Sequence, residues 1–146
     1  MAISSAICNS FKVEILKAVH NFTASSGDTF NLALYTSSAS LGAGTTAYAS
    51  TNEISNTSGS AYTAKGEALT SVTPVLSSST AVCDFADISW TSASFTANGC
   101  LIFNDTVAGD PAVCVVAFGA DKTVSNGTFT IQFPAADASN AIVRIA

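Results

Sequence analysis

The chain has 146 residues, of which 48% are hydrophobic and only 10% are charged, and its formal net charge is −5. An ordinary soluble domain carries about 25% charged residues. The length fits a single domain over residues 1–146, and the high hydrophobicity excludes a disordered chain. Five basic residues spread along an acidic chain cannot neutralise a row of phosphates, so we expect no nucleic-acid partner.

Membrane association is also not expected. The sequence has no basic cluster that would bind an anionic membrane surface. No apolar stretch approaches the ~18 residues of a transmembrane helix. The first residues, MAISSAIC, lack the basic segment of a signal peptide, so we expect none.

The first predicted element is a helix over about residues 10–22. Four apolar residues spaced by four, four and three positions draw one stripe along it: Phe11, Ile15, Val19 and Phe22. The only histidine, His20, lies beside this stripe, and we interpret it as structural. Alternation around Val13 leaves a strand open as an alternative. We expect the stripe to pack on a sheet or on a neighbouring subunit.

A strand and a long loop follow the helix. The turn signal at residues 25–28 precedes TFNLALYT, in which large apolar side chains alternate with smaller or polar ones, as in a half-buried strand. Residues 37–65 are rich in Gly, Ser and Thr and poor in large apolar side chains, which predicts a long loop. Such loops in small domains are usually functional or flexible.

The rest of the chain predicts strands separated by turns. Pro74 cannot donate a backbone hydrogen bond, so its strand is expected at a sheet edge or to be bulged. Breaks are expected at Asp87 and near Asn98-Gly99, a turn over residues 105–111, and a hairpin at Asn126-Gly127. The strands are predicted within residues 67–77, 80–105, 111–119, 127–135 and 141–146.

This order of elements predicts a mainly β fold, an antiparallel two-sheet sandwich or jelly roll of about seven strands with one short N-terminal helix. Short strands at roughly 8–12-residue spacing with turn signals between them are typical of that class. The predicted core consists of Phe85, Ile88, Trp90, Phe95, Leu101, Phe103, Val115, Phe118, Phe129, Ile131 and Phe133.

Catalytic motifs are not found. The sequence has no G-x-S-x-G elbow to support a serine triad with His20. Asp84 and Asp87 are three positions apart, which places them on opposite faces of a regular strand, where they cannot work as a pair. We therefore expect no catalytic residue, no cofactor and no enzyme activity.

Metal and disulfide chemistry have little support. None of the four cysteines forms a C-x-x-C pair, so we expect no metal site and interpret the thiols as small buried apolar groups. A disulfide such as Cys83–Cys100 or Cys100–Cys114 stays open, as does the state of Cys8. A calcium site at Asn104, Asp105 and Asp110 is a minor alternative, because the loop lacks the spacing of an EF-hand.

The low charge favours a protein that works in an assembly. A surface with few Lys and Glu residues loses little solvation when it packs against another chain. Tyrosines are candidates for a binding surface, and a carbohydrate-binding module with a platform of Tyr35, Tyr48 and Tyr62 is an alternative. Together with the helix stripe, the predicted interface residues are Phe11, Ile15, Val19, Phe22, Tyr35, Tyr48 and Tyr62.

Four segments carry a resemblance to a known family: FKVEILKAVHNF, GDTFNLALYTSSASLGAGTTAY, DFADISWTSASFTANGCLIFND and DKTVSNGTFTIQFPAADASNAIVRIA. They are similar to small virion structural proteins of tailed bacteriophages, many from aquatic hosts such as cyanobacteria. The resemblance implies a capsid decoration (cement) protein at the capsid surface of the virion. It implies the major capsid protein as partner and a homo-oligomer, often a trimer. A tail, neck or fibre protein is the alternative within the virion.

Overall fold

The computed structural model describes residues 2–146 and is mainly β, with one helix and eight strands. This confirms the predicted fold class, with one strand more than expected. The elements in chain order are β1 (Ala6–Ile7), α1 (Asn9–Leu16), β2 (Phe30–Tyr35), β3 (Glu67–Ala68), β4 (Ser71–Ser77), β5 (Thr80–Phe85), β6 (Ile88–Asn104), β7 (Ala112–Ile131) and β8 (Val143–Ile145). Within the described residues, no helix has the length and apolarity needed to cross a membrane.

The strands form two antiparallel sheets, as expected for a sandwich. The large sheet has the order β1-β7-β6-β2-β3, and the small sheet has the order β4-β5-β8. Strands β6 and β7 are the longest and pair from Ile88 opposite Ile131 to Phe103 opposite Ala112. Within β6, only residues 99–104 pair with β2. Residues 88–98 of β6 therefore extend past the end of β2.

The core lies where the two sheets and α1 meet. The rings of Phe22 and Phe30 stack with centroids 4.3 Å apart, and Phe85 of the small sheet contacts both. All eleven predicted core residues are either buried or partly buried against this core. The alternation of apolar residues therefore identified the core-facing positions correctly.

The helix is shorter than predicted, because α1 ends at Leu16 and not near residue 22. Ala18 adopts a left-handed backbone conformation, with φ 56°. Its N–H donates to the carbonyl of Ile15 at 3.2 Å, and the N–H of Val19 donates to the carbonyl of Glu14 at 3.0 Å. These two hydrogen bonds form a Schellman motif, which terminates a helix.

Strand β2 is buried on both faces, whereas the sequence predicted a half-buried strand. All six of its residues are buried. The ring of Phe22 covers Phe30, and the hydroxyl of Tyr35 donates to the carbonyl of Ala49 in the long loop. The long loop therefore covers the face of β2 that its alternating sequence predicted to be exposed to solvent.

The predicted hairpin at Asn126-Gly127 is wrong, because β7 runs through it without reversing. Asn126 has φ 52°, and its N–H donates to Oγ of Ser94 at 2.8 Å. The pairing of β6 and β7 shifts register nearby, so the left-handed residue is accommodated as a bulge. Asn126 thus adopts the left-handed conformation that asparagine tolerates, but it does so at a bulge within the β6–β7 ladder and not in a turn.

The break predicted at Asp87 is confirmed, because β5 ends at Phe85 and β6 begins at Ile88. The break predicted near Asn98-Gly99 is wrong, because β6 runs through these residues and the ladder only shifts register between Ala97 and Gly99. A Cβ at Gly99 would lie 2.7 Å from the backbone carbonyl oxygen of Val116, so only glycine fits there. Strand β4 is an edge strand and is bulged around Pro74.

Candidate interaction surface

The seven predicted interface residues are used within the chain itself. The buried ones are Phe11, Phe22, Tyr35 and Tyr62, and the partly buried ones are Ile15, Val19 and Tyr48. On the helix side, Phe11 packs edge-on against Phe22 with ring centroids 6.0 Å apart, and both rings contact His20. The stripe therefore packs mainly on the protein's own core, and little of it remains for a neighbouring subunit.

His20 joins a buried polar chain. Its side chain is fully buried, with Nε2 2.8 Å from a carboxylate oxygen of Glu14. Nδ1 lies 3.1 Å from the amide nitrogen of Asn104, which also donates to Asp28 at 2.7 Å. Since the amide nitrogen can only donate, Nδ1 accepts and Nε2 carries the proton that is donated to Glu14.

This polar chain connects separate elements and has no reacting group. Among the described residues, no hydroxyl or thiol is hydrogen-bonded to His20, so a nucleophile is missing. The side-chain amide oxygen of Asn104 accepts from the backbone N–H groups of Thr106 and Val107. His20 therefore fastens α1 to the end of β6 and to the turn that follows it.

The three tyrosines do not form an exposed platform, which corrects the premise of the carbohydrate alternative. The hydroxyls of Tyr48 and Tyr62 donate to the two carboxylate oxygens of Glu53 at 2.6 and 2.7 Å. The hydroxyl of Tyr62 also accepts from the N–H of Leu34. Burial raises the pKa of Tyr48 to about 12 and also raises the pKa of Tyr35 and of Tyr62. These side chains close the long loop over β2.

Lys65 holds the end of the long loop against the β6–β7 turn. Its Nζ lies 2.8 Å from a carboxylate oxygen of Asp105 and 2.8 Å from one of Asp110. Hydrogen bonds to these two carboxylates raise the pKa of the lysine. Its ammonium occupies the space between two of the residues considered for a calcium site. Within residues 2–146, no group of His, Cys, Asp and Glu side chains is placed to hold a metal ion.

The four cysteines are free thiols in the structure. Burial raises the pKa of Cys8 and of Cys83 to about 11 and that of Cys100 to about 12, and it also raises the pKa of Cys114. A thiol with a raised pKa is a poor nucleophile at neutral pH. These side chains therefore contribute mainly to packing.

The large exposed hydrophobic side chains lie on three elements. Two are on α1 and four are on edge strands of the small sheet: Val13, Leu16, Val72, Val75, Leu76 and Ile145. We use the name apolar face for these six residues together, although the consecutive Val75 and Leu76 point to opposite sides of β4. Leu16 is 88% exposed and Leu76 is 71% exposed, which is unusual in a chain that buries its other large apolar groups well.

Ile145 of the apolar face also lines a groove. It has a volume of about 370 Å³ and lies between α1 and the small sheet, where Ile15, Phe22, Pro74, Val82 and Ile145 are among its lining residues. Strand β4 adds a free edge, since its only partner is β5. An apolar face next to an open sheet edge is typical of a protein-binding surface.

Three of the five basic residues lie on or next to the same elements. Lys12 lies on α1, Lys17 directly follows it, and Arg144 lies on β8. Of the other two, Lys65 is held by two aspartates and Lys122 lies on β7. Of the ten acidic residues, only Glu14 lies on α1 and only Asp84 on the small sheet. The apolar face is thus the least acidic part of an acidic molecule.

The sequence did not predict this surface, because on α1 only the apolar stripe, which is largely buried in the structure, was considered as an interface. Val13 and Leu16 are apolar residues that lie outside the helix stripe of Phe11 and Ile15. Positions 13 and 16 are three apart and share a helix face with Lys12. An apolar residue on the polar side of an amphipathic helix was the available signal.

Comparison of the chain with family models, with curated proteins and with solved structures finds no match.

Proposed function

We propose that the protein is a virion structural protein of a tailed bacteriophage, a capsid decoration protein that binds the outer surface of the major capsid protein. The observation that carries the proposal is the apolar face, which collects the large exposed hydrophobic residues on α1 and on the edge strands of the small sheet. The sequence resemblance supplies the class of partner. The low content of charged residues supports a role as a component of a larger assembly, because few charges lose solvation when the surface is buried.

The mechanism of such a protein is mechanical. Each side chain such as Leu76 or Ile145 that becomes buried against the shell contributes about 1.5–3 kcal/mol. A copy that spans the seam between two capsid subunits adds this contact energy to both. Many copies acting together then resist the internal pressure of the packaged DNA, because simultaneous contacts reinforce one another.

The fold suits this role because it presents its binding side chains on a stiff support. The long loop is fastened at Glu53 and Lys65, and α1 is fastened through His20. A preorganised surface loses little conformational entropy when it binds. The polar chain around His20 and the hydrogen bonds of Tyr48 and Tyr62 to Glu53 then hold the interaction surface in place.

The test compares virions that carry the protein with virions that lack it. We expect virions without the protein, or with Leu76→Asp, to release DNA at a lower temperature than wild-type virions. The control Thr128→Asp adds the same charge at an exposed position of β7 and should preserve the wild-type release temperature. Equal release temperatures with and without the protein would contradict the cement role.

A further inference from the structure

A second apolar site lies on a different part of the molecule from the apolar face. It is a cavity of about 260 Å³ whose lining includes Leu32, Ile102, Phe118, Ile131, Phe133 and Ile142. An apolar cavity of about 150 Å³ is sufficient to bind benzene. The cavity can therefore accept one branched aliphatic side chain.

A polar side chain and a carboxylate lie close to this cavity. Gln132 lines the cavity and is exposed. The neighbouring Phe133 donates its N–H to the carboxylate of the exposed Asp87 at 2.8 Å. A cationic partner group that approaches the mouth would therefore meet a carboxylate beside it.

The outer side of α1 has the complementary character. Leu16 is 88% exposed, and Val13 beside it is 53% exposed. Lys12 and Lys17 flank them, and neither forms a salt bridge with any residue from 2 to 146. An aliphatic side chain with two lysines next to it, neither of them in a salt bridge, matches an apolar cavity with a carboxylate close by.

We propose that the chain self-associates head to tail, with Leu16 of one copy seated in this cavity of the next copy. The lysines that flank Leu16 then lie near Asp87 of the neighbouring copy. A symmetric contact of α1 with α1 is disfavoured, because it would bring Lys12 and Lys17 against the same charges. A head-to-tail contact closes into a ring when its rotation allows closure.

This contact leaves the small-sheet part of the apolar face free. Val72, Val75, Leu76 and Ile145 lie outside it and stay available to another protein. The self-association uses only the α1 part of the apolar face, so the proposed function then rests on the small-sheet part, and the self-association is measured on the purified chain. A failure of one proposal therefore leaves the other untouched.

The first experiment measures the mass of the purified protein by sedimentation velocity at low and at high salt. We expect a closed oligomer at low salt that dissociates toward the 14.7 kDa monomer as salt screens the lysines. Leu16→Asp and Gln132→Arg should each give monomers, since the first removes the inserted side chain and the second places a cation at the cavity mouth. The matched control Leu76→Asp should leave the oligomer intact.

The second experiment mixes the two monomeric variants. A head-to-tail contact predicts a 1:1 dimer, because the intact α1 of the Gln132→Arg copy fits the intact cavity of the Leu16→Asp copy. Circular dichroism and thermal melting should show that both variants remain folded. A monomeric wild type, a mixture that stays monomeric, or an oligomer that only Leu76→Asp dissociates would overturn the proposal.

Discussion

His20 connects three parts of the chain through its two ring nitrogens. Nε2 donates to Glu14 on α1, while Nδ1 accepts from Asn104 at the end of β6, whose amide also reaches Asp28. The sequence could predict that this histidine lies beside an apolar stripe. Its partners could not be predicted, because Asn104 is 84 positions away and only the folded sheet brings it close.

Replacement of His20 should therefore cost stability. We expect His20→Leu to lower the free energy of unfolding by about 1–3 kcal/mol, because Asn104 and Glu14 lose a buried partner. Urea denaturation followed by circular dichroism measures this change. The control Lys17→Leu alters an exposed side chain and should change stability by less than about 0.5 kcal/mol. Equal effects of the two substitutions would contradict the role of the polar chain.

At the scale of the elements, the apolar pattern predicted the existence of α1 but not its end. The spacing of Phe11, Ile15, Val19 and Phe22 continues smoothly past the Schellman motif at residues 14–19. No glycine or asparagine marks that point, because Ala18 occupies the left-handed position that glycine usually takes. A helix end built on an alanine gives no local sequence signal.

This helix end predicts a stabilising substitution. Ala18→Gly should raise the free energy of unfolding by about 1 kcal/mol, because glycine adopts the left-handed conformation without the steric cost that alanine carries. Thermal melting measures the change. The control Ala120→Gly lies in β7, where glycine should instead weaken the strand. A loss of stability with Ala18→Gly would show that α1 ends in another way.

The long loop was predicted as a loop, but its closure was not. Residues 36–66 contain neither a helix nor a regular strand, and their order comes from Glu53, Lys65 and the tyrosines. A sequence rich in Gly, Ser and Thr gives no periodicity from which these contacts could be derived. Lys65 even adopts φ 70°, a conformation that its type does not favour.

The closed loop predicts how the protein responds to alkaline pH. The pKa of Tyr48 is raised to about 12, and those of Tyr35 and Tyr62 are raised as well, mainly by burial. The folded state thus holds these protons above the ordinary tyrosine pKa of ~10, so stability is complete below that pH and falls above it. Absorbance at 295 nm should show all three tyrosines ionising together with unfolding. Ionisation of a tyrosine near its ordinary pKa in the folded protein would contradict this closure.

At the scale of the whole molecule, the sequence predicted a two-sheet β fold and its core, because alternation and turn signals are local. The surface was not predictable in the same way. Whether Leu16 or Phe11 faces solvent depends on which side of α1 packs against Phe22 and the sheet. The sheet is formed by residues far from α1 in the sequence, so local patterns do not reveal this packing. The sequence accordingly suggested the buried stripe as the interface, whereas the structure leaves the opposite side of α1 exposed.

The most direct test of the proposed function is the number of copies of this chain in each purified virion, measured by quantitative mass spectrometry. A decoration protein that covers the shell should be present in hundreds of copies, in fixed ratio to the major capsid protein. Six or twelve copies would instead place the chain in the tail or neck, and its absence from virions would contradict the account altogether.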